Sequence, residues 1–388
     1  MTSAWAGGAL DAELATLLAD AGVTGPHTAL VPLAAGEDNQ VYATAVAGRD
    51  LVVKGARTSR VRSGVAAWAA AQLAAVGVPA PTVLGYRGRL LVETRCPGTP
   101  LDQHHAGHGP PADLTAQAGR LLRRIHTVPV RGYGRLDTAG VGLRPCLHSW
   151  LLQLPPLPTT ATADMHALRA QARQTLRHHL PELAGVPAVL LHGDWTARHV
   201  IVNDGRITGI VDLESVRGGD PLADLAGWSL QEPAELTHGL YTGYFTTPPD
   251  RPTRLRLALY RVRIAAAMLA QHITNANRAQ LRLRTAQLQA DLADLSCKQP
   301  ATQPRITPPP LPRARKARHV DPHHPTGPPQ RRQPARRLPR ILGRAVRHPR
   351  RRHRPLRPPL PRHGRILADR RRRRHDRRRR PTPSGNRG

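Results

Sequence analysis

The sequence predicts an α+β chain of two lobes, a small β-rich one followed by a larger helical one, with a disordered C-terminal tail. Three observations carry that reading. Short apolar and alternating runs crowd residues 1–95, amphipathic helical stretches fill much of 96–298, and the composition changes abruptly at 299. The formal charge of +32 is just as uneven. Residues 299–388 hold 29 basic side chains against Asp321, Asp369 and Asp376, together with 19 of the 39 prolines. The first 298 residues hold 29 bases against 23 acids, a near balance, and are long enough to bury a large core.

The elements follow in order. Leu10, Leu14, Leu17 and Leu18 recur at helical spacing and predict a short amphipathic helix over Leu10–Ala21. In LVPLAAGEDNQVYATAVAGRDLVVKGA, Val41, Ala43 and Ala45 alternate and Leu51–Val53 is an apolar run. That pattern predicts antiparallel strands with turns at Gly36–Asn39 and Gly48–Asp50. Ser63–Val76, nearly all alanine and apolar, reads as a helix; VPAPTVLGY and GRLLVET add two strands before Pro97-Gly98 breaks the chain. Further helices are expected over Asp113–His126, from Trp150 onward and over Ala163–Leu180. A long helical region, Arg251–Asp294, places Tyr260, Ile264, Met268 and His272 on one face.

Several classes are excluded at this level. Cys96, Cys146 and Cys297 have no metal or disulfide spacing, and so sparse an odd count suits a reducing cytoplasm. The start MTSAWAGGALDAELATLLADAG lacks a basic segment followed by an apolar run, so no secretory signal is expected. No uncharged apolar stretch reaches the ~18 residues a membrane span needs.

The chemistry concentrates in Leu191–Ala226, LHGDWTARHVIVNDGRITGIVDLESVRGGDPLADLA. An HGD triplet precedes a VIVNDGRITGIVD hairpin and then GGDPLADLA, so Asp194 and Asp212 stand eighteen residues apart across the hairpin. Phosphoryl transfer needs one carboxylate to orient the attacking hydroxyl and another to hold a divalent cation on the nucleotide phosphates. The series resembles the catalytic core of the aminoglycoside phosphotransferase family, over roughly residues 25–295. The resemblance implies a two-lobed protein-kinase-like fold, with a nucleotide-binding lobe at 1–95 and a catalytic, substrate-binding lobe at 96–298. It implies transfer of the γ-phosphoryl of ATP or GTP, with magnesium, to a hydroxyl of a small molecule. An antibiotic, aminoglycoside or macrolide, is the first acceptor to consider; sugars, choline-like alcohols and amino-acid-like metabolites stay open.

The resemblance also assigns residues. Asp194, on a loop after the apolar run AVLLHG, would orient the substrate hydroxyl; the bland alternative is a turn aspartate. Asp212, at the end of strand GIV, suits a hard cation. Glu214 would stand behind the metal or meet the substrate. Lys54, one cation in the apolar strand LVVKG, is costly to bury unpartnered and would grip the α- and β-phosphates. Gly36 is the single glycine where the family places its phosphate-covering loop. Leu91, Val92, Glu93 and Thr94 match the hinge, whose backbone would meet a purine edge. Asp220, before Pro221, reads as a helix N-cap with Asp224 in the first turn, both mainly structural, in an element that would hold the catalytic loop rather than react. His126 reads as packing.

Two positions depart from the family pattern. His199 stands where most members carry a magnesium-binding asparagine, and is similar in this to the macrolide phosphotransferase branch. It either ligates the metal or only hydrogen-bonds Asp194 or Asp212. Arg198 beside it either steadies phosphate charge or is a solvated arginine. The second departure concerns Lys54, which kinase-like folds pair with a helical glutamate. Residues 51–92 contain no acid, and the helix offers only Gln72 as a long polar side chain. Lys54 is therefore expected to pair with Asp212, with a loop acid such as Glu37 or Asp38, or with nucleotide alone. A thin set of acids, Glu214, Glu232 and Glu235, is available to a polycationic acceptor; the apolar segment Trp150–Leu157 either meets a macrolide or packs the core.

Other classes stay in play. A kinase fold that has lost catalysis would serve as a nucleotide-binding scaffold. The tail would bind nucleic acid through phosphates, non-specifically and with steep salt dependence, although it has no aromatic residue for stacking. A polybasic tail also suits a membrane surface. A shifted reading frame in a GC-rich gene gives the same Arg/Pro-rich composition, and that reading is preferred.

Overall fold

The computed structural model describes residues 7–35, 39–57, 62–105 and 112–297. The expected disorder of 299–388 and the loop residues Gly36, Glu37 and Asp38 lie outside the described residues.

Helix α1 (Gly7–Asp20) buries the four leucines whose spacing predicts it. Strands β1 (Val31–Ala35), β2 (Asn39–Val46) and β3 (Arg49–Ala56) run antiparallel. The β2–β3 hairpin turns at Ala47-Gly48, both at positive φ (47° and 76°), the mirror-image turn that matches strand twist. After α2 (Ser63–Ala75), β4 (Val83–Arg87) and β5 (Leu90–Thr94) complete a sheet of order β1-β2-β3-β5-β4. A small core joins α1 to this sheet through Leu14, Leu17, Leu51, Val53, Leu90 and Val92. The alternation at Val41, Ala43 and Ala45 finds β2, but Tyr42 and Val46, on its other face, are the residues that reach that core.

The helical part follows with β6 (Thr99–Pro100), α3 (Ala112–Ile125), β7 (Tyr133–Leu136), β8 (Gly142–Arg144), α4 (Leu147–Leu151) and α5 (Ala163–His178). Then come β9 (Val189–Leu191), β10 (Val200–Asn203), β11 (Arg206–Ile210), β12 (Arg217–Gly219), α6 (Leu222–Gln231), α7 (Ala234–Tyr244), α8 (Arg251–Thr274) and α9 (Arg278–Cys297). Two small sheets, β11-β10-β6 and β8-β7-β12-β9, sit in this part. The expected α+β class, β-rich then helical, is the observed one. No described helix is long and apolar enough to cross a membrane.

Three expectations need correction. The helix expected from Trp150 onward is the end of α4, which stops at Leu151; Pro155, Pro156 and Pro158 bar its continuation. The long helix expected over Arg251–Asp294 is two, α8 and α9, packed together and separated at Ala276 (φ 51°). Asn277 starts the second helix by accepting the Gln280 N–H at 3.2 Å. Within α8, Leu259, Val262, Ala266 and Leu269 are buried beside Tyr260, whereas Ile264, Met268 and His272 are half-buried. Finally, the cores do not divide at residue 95. Helix α2 gives Val65, Ala66, Ala69 and Leu73 to the larger core, because an all-apolar helix can be covered on several sides.

Candidate active site

The loop that carries Asp194 leaves β9 through His192 and Gly193. Gly193 has φ 81°, and a Cβ there would stand 2.2 Å from the Ser215 carbonyl oxygen, so glycine alone fits. Asp224, on α6 and 4 % exposed, accepts the backbone N–H groups of His192 (2.8 Å) and Gly193 (2.9 Å). His126 Nε2 lies 3.2 Å from the same carboxylate, and its Nδ1 meets the Tyr244 hydroxyl at 2.9 Å. Burial works against the Asp224 charge, but His126 and the loop N–H groups outweigh it and hold the carboxyl below its ordinary range. Asp224 is thus the residue through which this element, read as structural, holds the loop, and His126 is a polar partner rather than packing alone.

Other groups hold the loop from elsewhere. The half-buried Arg217 guanidinium donates to the Gly193 carbonyl at 2.9 Å. His192 Nε2 donates to the Val211 carbonyl (3.0 Å), tying the loop to the residue before Asp212, and its Nδ1 accepts the Asp194 N–H (3.3 Å). Glu232 accepts the Ala197 N–H at 2.8 Å. Asp220, before α6, accepts the Leu222 N–H at 3.0 Å and the Tyr260 hydroxyl at 2.8 Å, and pairs with Arg256.

Asp212 follows the β10–β11 hairpin with φ 65° and ψ 52°, a left-handed conformation that costs a non-glycine residue roughly 1–2 kcal/mol. The hairpin brings donor atoms of Asp194, His199 and Asp212 within 4.8 Å of one another. His199 is buried, and its neighbours fix its tautomer. Nδ1 faces the Asp194 carbonyl oxygen at 2.8 Å, which only accepts; Nε2 faces Arg198 Nε at 3.1 Å, which only donates. The proton is therefore on Nδ1 and the lone pair on Nε2. Burial, then the neighbouring His192, presses the His199 pKa down to about 4, so the ring is neutral near pH 7. Its Nε2 stands 3.3 Å from the Asp212 carboxylate. Two acceptors at that distance are reconciled by a cation, and a neutral imidazole with an oriented lone pair is a competent ligand. The donor set fits a divalent ion, with the imidazole an unusual partner for magnesium. Arg198 donates to the Asp194 carboxylate at 2.9 Å as well as to His199. Its side chain is more than half exposed, but it is ion-paired rather than merely solvated.

Lys54 gives the clearest correction. Its ammonium is 3.1 Å from Glu93 and 3.2 Å from Glu214, with no ion pair to Asp212 among the described residues; the loop acids Glu37 and Asp38 lie outside them. Burial opposes its charge, yet Glu214, Glu93 and Asp212 together raise its pKa above the ordinary lysine value. Burial pushes both glutamates up, and Lys54 pulls them back. The missing helical glutamate is replaced by a strand residue and a turn residue. In the ladder, Lys54 faces Leu91 and Val52 faces Glu93, so Lys54 and Glu93 are diagonal neighbours on one face.

Leu91–Thr94, expected to meet a purine edge, belong to strand β5. Strand β5 lies between β3 and β4, and both ladders take up its backbone groups; Thr94 N–H is bonded to Thr82. Glu214 and Glu232 are engaged inside the protein, leaving Glu235, which is exposed, from the expected acidic set. In Trp150–Leu157, Leu151 and Leu154 are buried and Arg263 lies over the Trp150 ring, a packing use. The reading from sequence misses His192, Arg217 and the Glu93 side chain as positioning groups. Only His192 had a signal, its place in HGD.

With this geometry in view, the comparisons with known proteins are direct. Residues 29–260 match the family model described as the phosphotransferase enzyme family, APH. A thermostable mutant of aminoglycoside phosphotransferase APH(4)-Ia, in ternary complex with AMP-PNP and hygromycin B, superimposes with TM-score 0.61 at 20 % identity, over 72 % of this chain and 98 % of that one. A choline/ethanolamine kinase family protein from Mesorhizobium loti gives 0.54 at 22 %, over 75 % and 99 %. The GDP and kanamycin complex of APH(2")-IIia gives 0.53 at 16 %, over 73 % and 99 %. No curated protein matches the chain significantly. The expected kinase-like fold is therefore the observed one, and, with the family model spanning more than half its length, this chain belongs to the phosphotransferase enzyme family.

Proposed function

We propose that the chain transfers the γ-phosphoryl group of ATP or GTP to a hydroxyl of a small molecule. The observation that carries the proposal is the convergence of Asp194, His199 and Asp212 donor atoms within 4.8 Å, on a loop and hairpin fixed by buried polar groups. Asp194 would orient the acceptor hydroxyl and take its proton. Asp212 and His199 Nε2 would hold magnesium, which when bound neutralises developing phosphate charge. Lys54, kept charged by two carboxylates, would fix the α- and β-phosphates. Arg198, held by Asp194 and His199, is placed to meet the transferred group once those partners engage substrate and metal. Rate would come mostly from positioning and charge stabilisation.

The acceptor class follows from what remains free. The APH(4)-Ia and APH(2")-IIia structures contain hygromycin B and kanamycin. In this chain the acids that would attract a polycation are largely committed internally, which favours a less cationic acceptor, such as a macrolide-like alcohol. Of the two supports for a scaffold without catalysis, the His199 substitution remains, whereas the missing helical glutamate is offset by Glu93 and Glu214 beside Lys54.

The test is a thermal-shift titration of the full chain with ATP and GTP, with and without magnesium, followed by turnover across hydroxyl acceptors. A ligand at 100 times its Kd should stabilise the fold by about 2.7 kcal/mol. A magnesium-dependent shift, and turnover abolished in Asp194→Ala with nucleotide binding intact, is expected. A cooperatively melting protein that shifts with neither nucleotide would refute the proposal.

A further inference from the structure

Beside Lys54, a second cavity opens between the start of α2, strands β5 and β7, and the turn at Leu213–Ser215. Neither Asp194, His199 nor Asp212 lines it. Its wall contains Lys54, Arg62, Arg89 and Arg135, and the one acid among them, Glu214, is already shared with Lys54. Among the described residues none of the three arginines has a carboxylate at ion-pair distance, although Glu214 acts on Arg62 from further off. Among the described residues Arg62 donates to the carbonyl oxygens of Val216 (3.2 Å) and Leu136 (3.4 Å). Arg89 Nε is buried with no hydrogen-bond partner, and Arg135 has no carboxylate partner among the described residues. Burial, with Arg135 and Arg217 close by, presses the Arg62 pKa down to about 10.

Two further features face the same cavity. Helix α2, thirteen residues long, begins here without a side-chain cap and without an acid in its first turn; the Arg62 carbonyl takes the Val65 and Ala66 N–H groups, which leaves those of Ser63 and Gly64 at the positive dipole end without a partner among the described residues. Ser63, its first residue, lines the cavity at 6 % exposure, and its hydroxyl has no protein partner among the described residues. Buried polar groups are normally paired, and a cluster of arginines with an open helix start is complementary to a tetrahedral oxyanion.

We propose that this cavity is an anion site separate from the metal-binding cluster, in which Arg62, Arg89, Arg135 and Ser63 take a phosphate group. The phosphate is free inorganic phosphate or a phosphate of the bound nucleotide; the chemistry of recognition is the same. Arg62 caps the start of α2 and Ser63 is its first residue, Arg89 lies in the β4–β5 turn and Arg135 in β7. A bound anion therefore links the sheet to the helical part at the level of Glu214.

The experiment uses the full chain and inorganic phosphate, titrated by calorimetry with and without saturating magnesium nucleotide, in wild type, Arg89→Gln and Arg135→Gln. Melting without ligand confirms that each variant folds; Arg135 is exposed, so its variant is the safer of the two. Each variant should weaken phosphate binding at least 10-fold. The Arg-rich segment 299–388 is common to all three proteins, so the difference between them reports the cavity alone. Binding that persists under saturating nucleotide assigns free phosphate. Phosphate that competes with nucleotide, with nucleotide affinity also weakened by both variants, assigns the nucleotide's own phosphate. Phosphate affinity unchanged in both folded variants overturns the proposal, and does so whether or not the protein turns over an acceptor.

Discussion

Lys54 sits between Glu93 at 3.1 Å and Glu214 at 3.2 Å, and this arrangement has an unusual energetic signature. At an effective dielectric of about 20, each leg contributes roughly 5 kcal/mol of attraction before desolvation. The two legs place the carboxylate oxygens no more than about 6 Å apart, so they repel one another by roughly 3 kcal/mol or more. Removing one carboxylate therefore loses one attraction, relieves that repulsion and spares the burial of one charge. Glu93→Gln or Glu214→Gln alone should cost about 1 kcal/mol or less. Removing both leaves a buried ammonium with no adjacent partner, a change that costs about 3–5 kcal/mol.

The double variant should thus exceed the sum of the singles by about 2 kcal/mol, a coupling of the size seen for groups sharing a partner. Urea unfolding followed by fluorescence of the buried Trp195 and Trp228 measures it. Kinetics give an independent reading: each single should keep the nucleotide KM within about 10-fold, and the double should raise it further as the ammonium loses its position. Singles that each cost as much as the double, or a cycle additive within about 0.5 kcal/mol, would refute the two-carboxylate account.

Asp224→Ala strips the acceptor from two backbone N–H groups and His126, and should destabilise the fold by about 3–5 kcal/mol in urea while lowering kcat; wild-type kcat in a folded variant would show that the loop holds itself. Because the Asp224 pKa is lower folded than its ordinary 3.8, its contribution is present above that value and lost as pH falls through the folded pKa; Asp224→Asn should flatten that acid limb of the stability curve. His199→Asn should keep activity with a changed magnesium requirement, whereas His199→Ala should raise the magnesium concentration for half-maximal rate at least 10-fold; equal requirements in both would remove His199 from the metal. Gly193→Ala must move the Ser215 carbonyl or the loop, and should cost at least ~2 kcal/mol by thermal melting and most of the turnover.

How much was legible depended on how local the signal was. The leucines of α1, the alternation in β2 and the HGD–hairpin–GDP series are contained in short windows, and each led to the element or cluster observed. The partner of Lys54 was not local. Glu93 lies 39 residues away, and only the β3–β5 register, Lys54 opposite Leu91 and Val52 opposite Glu93, puts the two side chains on one face. Searching the following helix for an acid looked in the wrong element. The break between α8 and α9 was missed because no glycine or proline marks it; the left-handed residue is Ala276, and only the flanking asparagines hint at a turn. Arg217 was invisible as a positioning group because its role needs a backbone carbonyl 24 residues upstream.

The distribution of exposure among the acids near the hairpin separates structure from chemistry. The Asp220 side chain is 0 % exposed, that of Asp224 3 % and that of Glu214 17 %, and each is committed to arginine, lysine, tyrosine or backbone donors. Asp194 and Asp212 are 28 % and 37 % exposed, and they alone in this group share a polyligand cluster with a neutral histidine. A carboxylate buried among fixed donors has nothing left to offer a substrate, and its removal harms the fold first. One held by its backbone, with its oxygens still reachable, can change partners between Arg198, a metal and a hydroxyl at little cost to stability. What the surrounding carboxylates have already given up thus supports the proposed roles of Asp194 and Asp212, independently of the spacing that first drew attention to them.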